Sequence, residues 1–160
     1  MKKVLWIEDQ ALYEMRDLRS KVLMSGLYHL AIAKNGSEAI SKLRSEIYDI
    51  IVVDLRIPPG DDPAFSISYS GPSHQRNTAK VGFQLLKRIF DKADPNHLSD
   101  LFEYAYNPFR FGVLSVDNQD EIGEDLNFFG IKNYFHKSGF MSSDTLLNLI
   151  KKIDKLISNE

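Results

Sequence analysis

Three carboxylates in this sequence directly follow short apolar runs. Asp54 follows Ile50–Val53, and Glu8 and Asp9 follow Val4–Ile7. Apolar runs of this kind are typical of parallel strands buried on both faces, and ligands bind at the carboxyl ends of such strands. Asp54 could therefore be a reactive or metal-binding carboxylate, although an aspartate that merely begins a turn is the plainer alternative.

A hydroxyl and an amine follow two later apolar runs, at Ser115 and Lys137. In a doubly wound sheet these strand ends converge on one face. Clustered carboxylates repel one another unless a cation joins them, and Mg²⁺ prefers such hard oxygen ligands. A nearby lysine and hydroxyl could then bind a phosphoryl group, with the Asp54 carboxylate as the nucleophile that attacks phosphorus.

The elements that would position these side chains alternate between strand and helix patterns. Strands are predicted at 4–7, 29–33, 50–53, 111–116 and 131–137. Helices are predicted at 11–25, from the turn at 35–38, which contains an N-cap candidate, to about 45, at 81–90, at 121–129 and from about 142 onward. This alternation predicts an α/β fold, a doubly wound five-stranded parallel sheet with helices on both faces.

Two irregular stretches, at about 59–80 and 94–110, interrupt what is otherwise a single domain spanning 1–160. The first is rich in Gly, Pro, Ser, Asp and Asn, which predicts a long loop with at most a small hairpin. The second carries prolines and several aromatic residues, which predict a short helix followed by a loop.

Composition excludes several classes of function. The 160 residues include no cysteine, which rules out disulfides, thiolate metal sites and a cysteine nucleophile. The formal net charge of -2 gives no electrostatic footprint for nucleic acid, and the four histidines lack the spacing of a metal site. The first apolar run is too short for a signal peptide or a membrane span, so we expect a cytoplasmic protein.

In this order, the polar residues at the strand ends resemble the receiver domain of two-component response regulators. The matching positions are Glu8 with Asp9, the Asn35–Ala39 helix start, Asp54 with Pro58 four positions later, Gly82 with Leu85 and Leu86, Ser115, and Tyr134 three positions before Lys137. The resemblance covers nearly the whole chain. It implies the flavodoxin-like receiver fold, with strand order 2-1-3-4-5.

The resemblance also implies a role for each site residue. Asp54 would accept the phosphoryl group, Ser115 would contact that group, and Lys137 would be the site lysine. Mg²⁺ would be held by Glu8, Asp9, Asp54 and the backbone carbonyl of Arg56, with Asp9 rather than Glu8 as the direct ligand of the acidic pair. Tyr134 would be the aromatic switch residue that rotates inward on activation.

A protein of this kind is a phospho-switch that catalyses its own phosphorylation and dephosphorylation. A sensor histidine kinase or phosphotransfer protein would donate the phosphoryl group. Only Ser158–Glu160 follow the final predicted helix, so we expect a stand-alone receiver that signals through a downstream protein partner or a homodimer.

Two alternatives remain open at this stage. A degenerate receiver would bind partners without phosphorylation. A Mg²⁺-dependent phosphohydrolase that resembles the haloacid dehalogenases would need a second aspartate two positions beyond Asp54 as its acid and base, where this chain has Arg56. Taken singly, Glu8 and Asp9 could also be charges at a helix N-terminus, and Lys137 could be an ordinary surface lysine.

The chain departs from the usual receiver pattern at several positions around the site. Ser138 replaces the proline that normally follows the lysine through a cis bond, and Val116 is bulkier than usual, which predicts narrower access to Asp54. Arg56 and Asp117 flank the site with opposite charges, and we hypothesise that they pair and slow hydrolysis.

The stretch at 59–80 is the largest departure, about twenty residues longer than the usual short turn. We interpret it as a docking surface for a partner protein, with a lid over the site or an unstructured insertion as the alternatives. Unaltered phosphotransfer and partner binding after deletion of 60–79 would reject both functional interpretations.

Overall fold

Five short runs pair into one parallel β-sheet in the computed structural model, which describes residues 1–65, 80–103 and 107–159. The strands are β1 (Lys2–Ile7), β2 (Tyr28–Ala33), β3 (Ile50–Val53), β4 (Phe111–Ser115) and β5 (Asn133–His136). Their spatial order is β2-β1-β3-β4-β5. The predicted strand order is confirmed, and β3, which leads to Asp54, lies at the centre of the sheet.

Helices cover both faces of this sheet. Within the described ranges they are α1 (Arg16–Ser25), α2 (Gly36–Ser45), α3 (Val81–Phe90), α4 (Ser99–Glu103), α5 (Gln119–Phe129) and α6 (Thr145–Ser158). Leu5 and Ile7 of β1 lie in the core layer of α2, α3 and α5, whereas Val4 and Trp6 lie in that of α1 and α6. The doubly wound α/β fold is confirmed. None of these helices is long and apolar enough to cross a membrane.

Local signals in the sequence account for several helix ends. Asn35 caps α2, because its side-chain oxygen accepts a hydrogen bond from the Glu38 amide at 2.8 Å. Gly26 and Gly130 end α1 and α5 in the left-handed conformation, with φ of 66° and 80°, which glycine adopts without steric cost. The predicted limits of α3 agree with the structure.

Two predicted helices begin later than the apolar spacing indicates. Helix α1 begins at Arg16 rather than at residue 11, because the Gln10 carbonyl accepts the amides of Tyr13 and Met15 and holds the intervening residues in turns. Helix α6 begins at Thr145 rather than near 142. Periodicity alone does not separate a helix from the turns that precede it, so these starts were predicted too early.

The structure tests the prediction for only one of the two irregular stretches. The segment at 94–110 contains the short helix α4 and a 3₁₀ turn at Pro108–Arg110, in agreement with the predicted short helix and loop. The small hairpin predicted within 59–80 falls mainly on residues outside the described ranges, and so do most of the residues of the predicted docking surface.

Asp154 of α6 ties this helix to the edge of the sheet. Its carboxylate accepts a hydrogen bond from the Tyr28 hydroxyl at 2.9 Å and pairs with the Lys2 ammonium. Burial works to raise the pKa of Asp154, but the hydrogen bonds from Lys2 and Tyr28 outweigh it and hold this pKa below its usual value. The ionised carboxylate therefore stabilises the folded state.

We expect Asp154→Asn to lower the free energy of unfolding by about 1 kcal/mol at neutral pH, a value limited by the partial exposure of the pair. Because the folded-state pKa is depressed, this contribution is complete above the unfolded value of about 4 and is lost as pH falls through the folded-state value. Urea unfolding at a series of pH values measures it. A difference that persists in strong acid, or one matched by the exposed control Asp61→Asn, would contradict the prediction.

Candidate functional site

The carboxyl ends of β1, β3, β4 and β5 bring the predicted site residues together. The Lys137 ammonium lies between two carboxylates: it donates to Asp54 Oδ2 at 3.0 Å and pairs with Glu8. Ser115 ends β4 next to this group and is fully buried. Glu8 thus contacts Lys137 directly, although the two residues lie 129 positions apart in the sequence.

Main-chain hydrogen bonds fix these side chains by extending the sheet beyond the strands. The Asp54 amide donates to the Ile7 carbonyl at 3.0 Å, and the Lys137 amide donates to the Ser115 carbonyl at 2.7 Å. The Arg56 amide in turn donates to Asp54 Oδ1 at 3.2 Å, which orients the carboxylate. Because the side chains stand on residues held by the ladder, the geometry of the site is set by the sheet itself.

The three acidic residues form a cluster that suits a divalent cation. One carboxylate oxygen from each of Glu8, Asp9 and Asp54 lies within 4.8 Å of the others. Glu8 and Asp54 are buried, and Asp9 is half-buried. Hard oxygen ligands that converge in this way, with one partly exposed, fit Mg²⁺, which retains several of its water ligands.

The electrostatics of the cluster also favour an additional cation. Burial raises the pKa of Glu8 to about 7, and the Asp54 charge adds to the rise while Lys137 opposes it. Burial likewise raises the pKa of Asp54 against the opposing charge of Lys137. Burial disfavours the charged form of Lys137, yet the two carboxylates raise its pKa above the usual value. One ammonium therefore faces two buried carboxylates, and a second cation would relieve the remaining repulsion.

A second charged group lies beside the first and centres on Asp117. The Asp117 side chain is fully buried and accepts hydrogen bonds from the Arg56 guanidinium at 2.8 Å and from the Ser115 hydroxyl at 2.8 Å. The predicted pairing of Arg56 with Asp117 is confirmed. Its predicted slowing of hydrolysis stays a prediction, which an unchanged phosphoryl half-life in Arg56→Ala would contradict.

Lys80 completes this group, although it is not among the site residues predicted from the sequence. Its side chain is 4% exposed, and its ammonium pairs with Asp117. It directly precedes α3, whose Gly82 amide donates to the Leu55 carbonyl at 3.0 Å. A lysine at the end of a stretch rich in polar residues is ordinarily exposed, so no signal in the sequence distinguished it.

Tyr134, the predicted switch residue, lies on β5 three positions before Lys137. The Tyr134 hydroxyl is buried without a hydrogen-bond partner in the described structure, and burial raises its pKa to about 12.

The bond between Lys137 and Ser138 is trans, as are the other described peptide bonds. The His136 ring contacts the Val116 carbonyl at 2.9 Å. Val116 itself is 49% exposed, and its predicted narrowing of access to Asp54 stays untested.

Comparison with known proteins supports the architecture through structure and not through sequence. No family model matches the chain, and no curated protein sequence matches it either. The chain is similar to the Francisella response regulator 1452 receiver domain, with a TM-score of 0.60, 21% identity, and coverage of 99% of this chain and 98% of the other.

Two further solved structures give the same result. A CheY-like response regulator receiver domain protein from Methanospirillum hungatei has a TM-score of 0.61 at 18% identity, with coverage of 100% of this chain and 99% of the other. The response regulator TrrA from Thermotoga maritima was solved in complex with Mg²⁺ and BeF. It has a TM-score of 0.54 at 22% identity, with coverage of 96% of this chain and 99% of the other. The fold of this chain is therefore that of a response regulator receiver domain.

Proposed function

We propose that this chain is a response regulator receiver that accepts a phosphoryl group on Asp54 in a Mg²⁺-dependent reaction. The donor is a sensor histidine kinase or a phosphotransfer protein. One observation carries the proposal: the Asp54 carboxylate is held by Lys137 at 3.0 Å, within a cluster of three carboxylates whose oxygens lie within 4.8 Å of one another. A structural ion pair accounts for Lys137 with a single carboxylate, whereas converging carboxylate oxygens supply the hard ligands that a Mg²⁺-assisted phosphoryl site uses.

The side chains present can carry out the transfer. An Asp54 carboxylate oxygen attacks phosphorus, the bond from phosphorus to the donor nitrogen breaks, and an aspartyl phosphate forms. The Lys137 ammonium donates hydrogen bonds to a phosphoryl oxygen, and the Ser115 hydroxyl donates to another. When bound by Glu8, Asp9, Asp54 and the Arg56 carbonyl, Mg²⁺ supplies positive charge that offsets the charge on the phosphoryl oxygens.

Output from the site passes through protein contacts in this proposal. Ser115 and Tyr134 lie on β4 and β5, and a shift of the Ser115 hydroxyl toward the phosphoryl group leaves room for the Tyr134 ring to move inward. The unpartnered Tyr134 hydroxyl supports this role, because no hydrogen bond within the described structure holds the ring in place. The moved ring changes the surface offered to a downstream partner or to a second copy of the chain.

Incubation with Mg²⁺ and acetyl phosphate tests the proposal by intact-protein mass spectrometry. We expect a lasting phosphoryl adduct on the wild type, its loss in Asp54→Asn, and its loss when Mg²⁺ is chelated. Asp49→Asn, which changes an aspartate at the opposite end of β3, is the matched control and retains the adduct. Absence of any adduct would favour a degenerate receiver, and steady release of phosphate would favour a phosphohydrolase.

A further inference from the structure

The Ser115 hydroxyl stands between two buried carboxylates. Its Oγ donates to Asp117 Oδ2 at 2.8 Å, and it also lies beside the Asp54 carboxylate. A serine hydroxyl has a single proton to donate. Ser115 therefore cannot donate fully to Asp117 and to a group on Asp54 at the same time.

Asp117 is held as a charged acceptor by two cations. Its side chain is fully buried, Lys80 beside it is 4% exposed, and Arg56 is 52% exposed. Lys80, Arg56 and the Ser115 hydroxyl all donate hydrogen bonds to this carboxylate, and two of these donors carry a positive charge. A charged acceptor binds a hydroxyl more strongly than a neutral one, and each cation that shares the carboxylate weakens that hold.

We propose that Asp117 is a positioning residue that retains the Ser115 hydroxyl in the unphosphorylated protein, and that the buried Lys80 ammonium sets how strongly it is retained. This inference rests on the proposed phosphorylation of Asp54. A phosphoryl group on Asp54 brings charged oxygens that compete for the Ser115 proton. The hydroxyl then leaves Asp117, and Lys80 with Arg56 compensates the carboxylate left behind.

The position of Lys80 gives this arrangement a second consequence. Lys80 directly precedes α3, so its backbone belongs to the end of the 59–80 stretch while its ammonium lies on Asp117. Any partner that displaces the start of α3 withdraws a cation from Asp117, and the carboxylate then holds Ser115 more strongly. Binding at α3 is thereby coupled to the phosphoryl site through a single carboxylate.

A double-mutant cycle on Lys80 and Ser115 tests the proposal through the rate of adduct formation with acetyl phosphate and Mg²⁺. In the otherwise wild-type protein we expect Lys80→Met to slow adduct formation about fivefold, because Asp117 loses its buried cation and holds the Ser115 hydroxyl more tightly. In the Ser115→Ala background the same change should have less than about a twofold effect. Equal slowing in both backgrounds would mean that Lys80 acts through its general charge or through folding, and would overturn the proposal.

Two further variants distinguish loss of the cation on Asp117 from a general effect of the substitution on folding. Lys80→Arg keeps a cation on Asp117 and should restore the wild-type rate. Lys87→Met removes a lysine that lies on α3 and faces Asp94 at 3.8 Å, and should leave the rate unchanged. Failure of Lys80→Arg to restore the rate, or slowing by Lys87→Met equal to that of Lys80→Met, would overturn the proposal.

The paired change Lys80→Met with Asp117→Asn removes both buried charges together, so it leaves neither unpaired. Ser115 is then held only by a neutral amide, and we expect the adduct to form about fivefold faster than in the wild type. A rate at or below that of the wild type would overturn the proposal. Absence of the adduct in the wild type itself would instead overturn the proposed function, and this inference with it.

Discussion

Replacing Lys137 with methionine will destabilise the protein by about 3 kcal/mol, because the change leaves two buried carboxylates without their shared cation. Glu8 is 1% exposed, Asp54 is 7% exposed, and Lys137 is the ammonium that contacts both. The same change will slow the phosphoryl transfer that we propose for Asp54 by about a hundredfold, because a positioned donor to the phosphoryl oxygens is lost. Methionine retains most of the lysine volume, so packing changes little.

Urea unfolding and the rate of adduct formation measure the two effects separately. Lys151→Met removes an exposed lysine from α6 and is the matched control, with no expected change in either quantity. Mg²⁺ should also raise the unfolding midpoint of Lys137→Met more than that of the wild type, because the three carboxylates attract a cation more strongly without the ammonium. A variant as stable as the wild type, with an equal response to Mg²⁺, would show that Lys137 does not neutralise this cluster.

Gly82→Ala will have the second large effect, through the backbone at Asp54. A Cβ atom on Gly82 would lie 2.1 Å from the Asp54 carbonyl oxygen and 2.6 Å from the Leu55 Cα. Both neighbours are main-chain atoms at the end of a buried strand, so neither can move away as a flexible side chain would. We expect a loss of about 3 kcal/mol in the free energy of unfolding and a rate of phosphoryl transfer reduced by about a hundredfold, since the acceptor carboxylate is displaced.

Gly123→Ala provides the matched control for this substitution. Gly123 lies inside α5, and a Cβ atom added to it would meet the Gln119 side chain at 3.7 Å, which is ordinary contact. Because alanine favours the helix over glycine, we expect this variant to be as stable as the wild type or more stable by up to about 1 kcal/mol. If Gly82→Ala behaved like Gly123→Ala, helix α3 would not pack as closely on Asp54 as the structure indicates.

Strand positions could be predicted from the sequence, because burial on both faces leaves a continuous apolar run. The runs that become β1 and β3 end in carboxylates for that reason, and the strand order followed from the resemblance to receivers. Helix starts were predicted less well. The Gln10 carbonyl closes turns that delay α1 to Arg16, and no side-chain pattern marks such main-chain hydrogen bonds.

The candidate site was predicted only where side chains stand at strand ends. Glu8, Asp54, Ser115 and Lys137 all follow or close apolar runs, and the structure brings them together. Lys80 could not be predicted, because it reaches its partner from outside the sheet and its burial depends on Asp117, thirty-seven positions away. Long-range ion pairs of this kind depend on tertiary geometry, and the propensity of a single residue does not predict them.

The contact between Glu8 and Lys137 has a consequence for how the protein is made. The carboxylates of the first and third strands emerge early during synthesis, whereas their ammonium follows 129 residues after Glu8. A nascent chain that ends before β5 would have to bury like charges without compensation, which is strongly unfavourable. We therefore expect the first three strands to remain without a closed core until β5 has been synthesised, and the cluster of Glu8, Asp54 and Lys137 to form in one late, cooperative step.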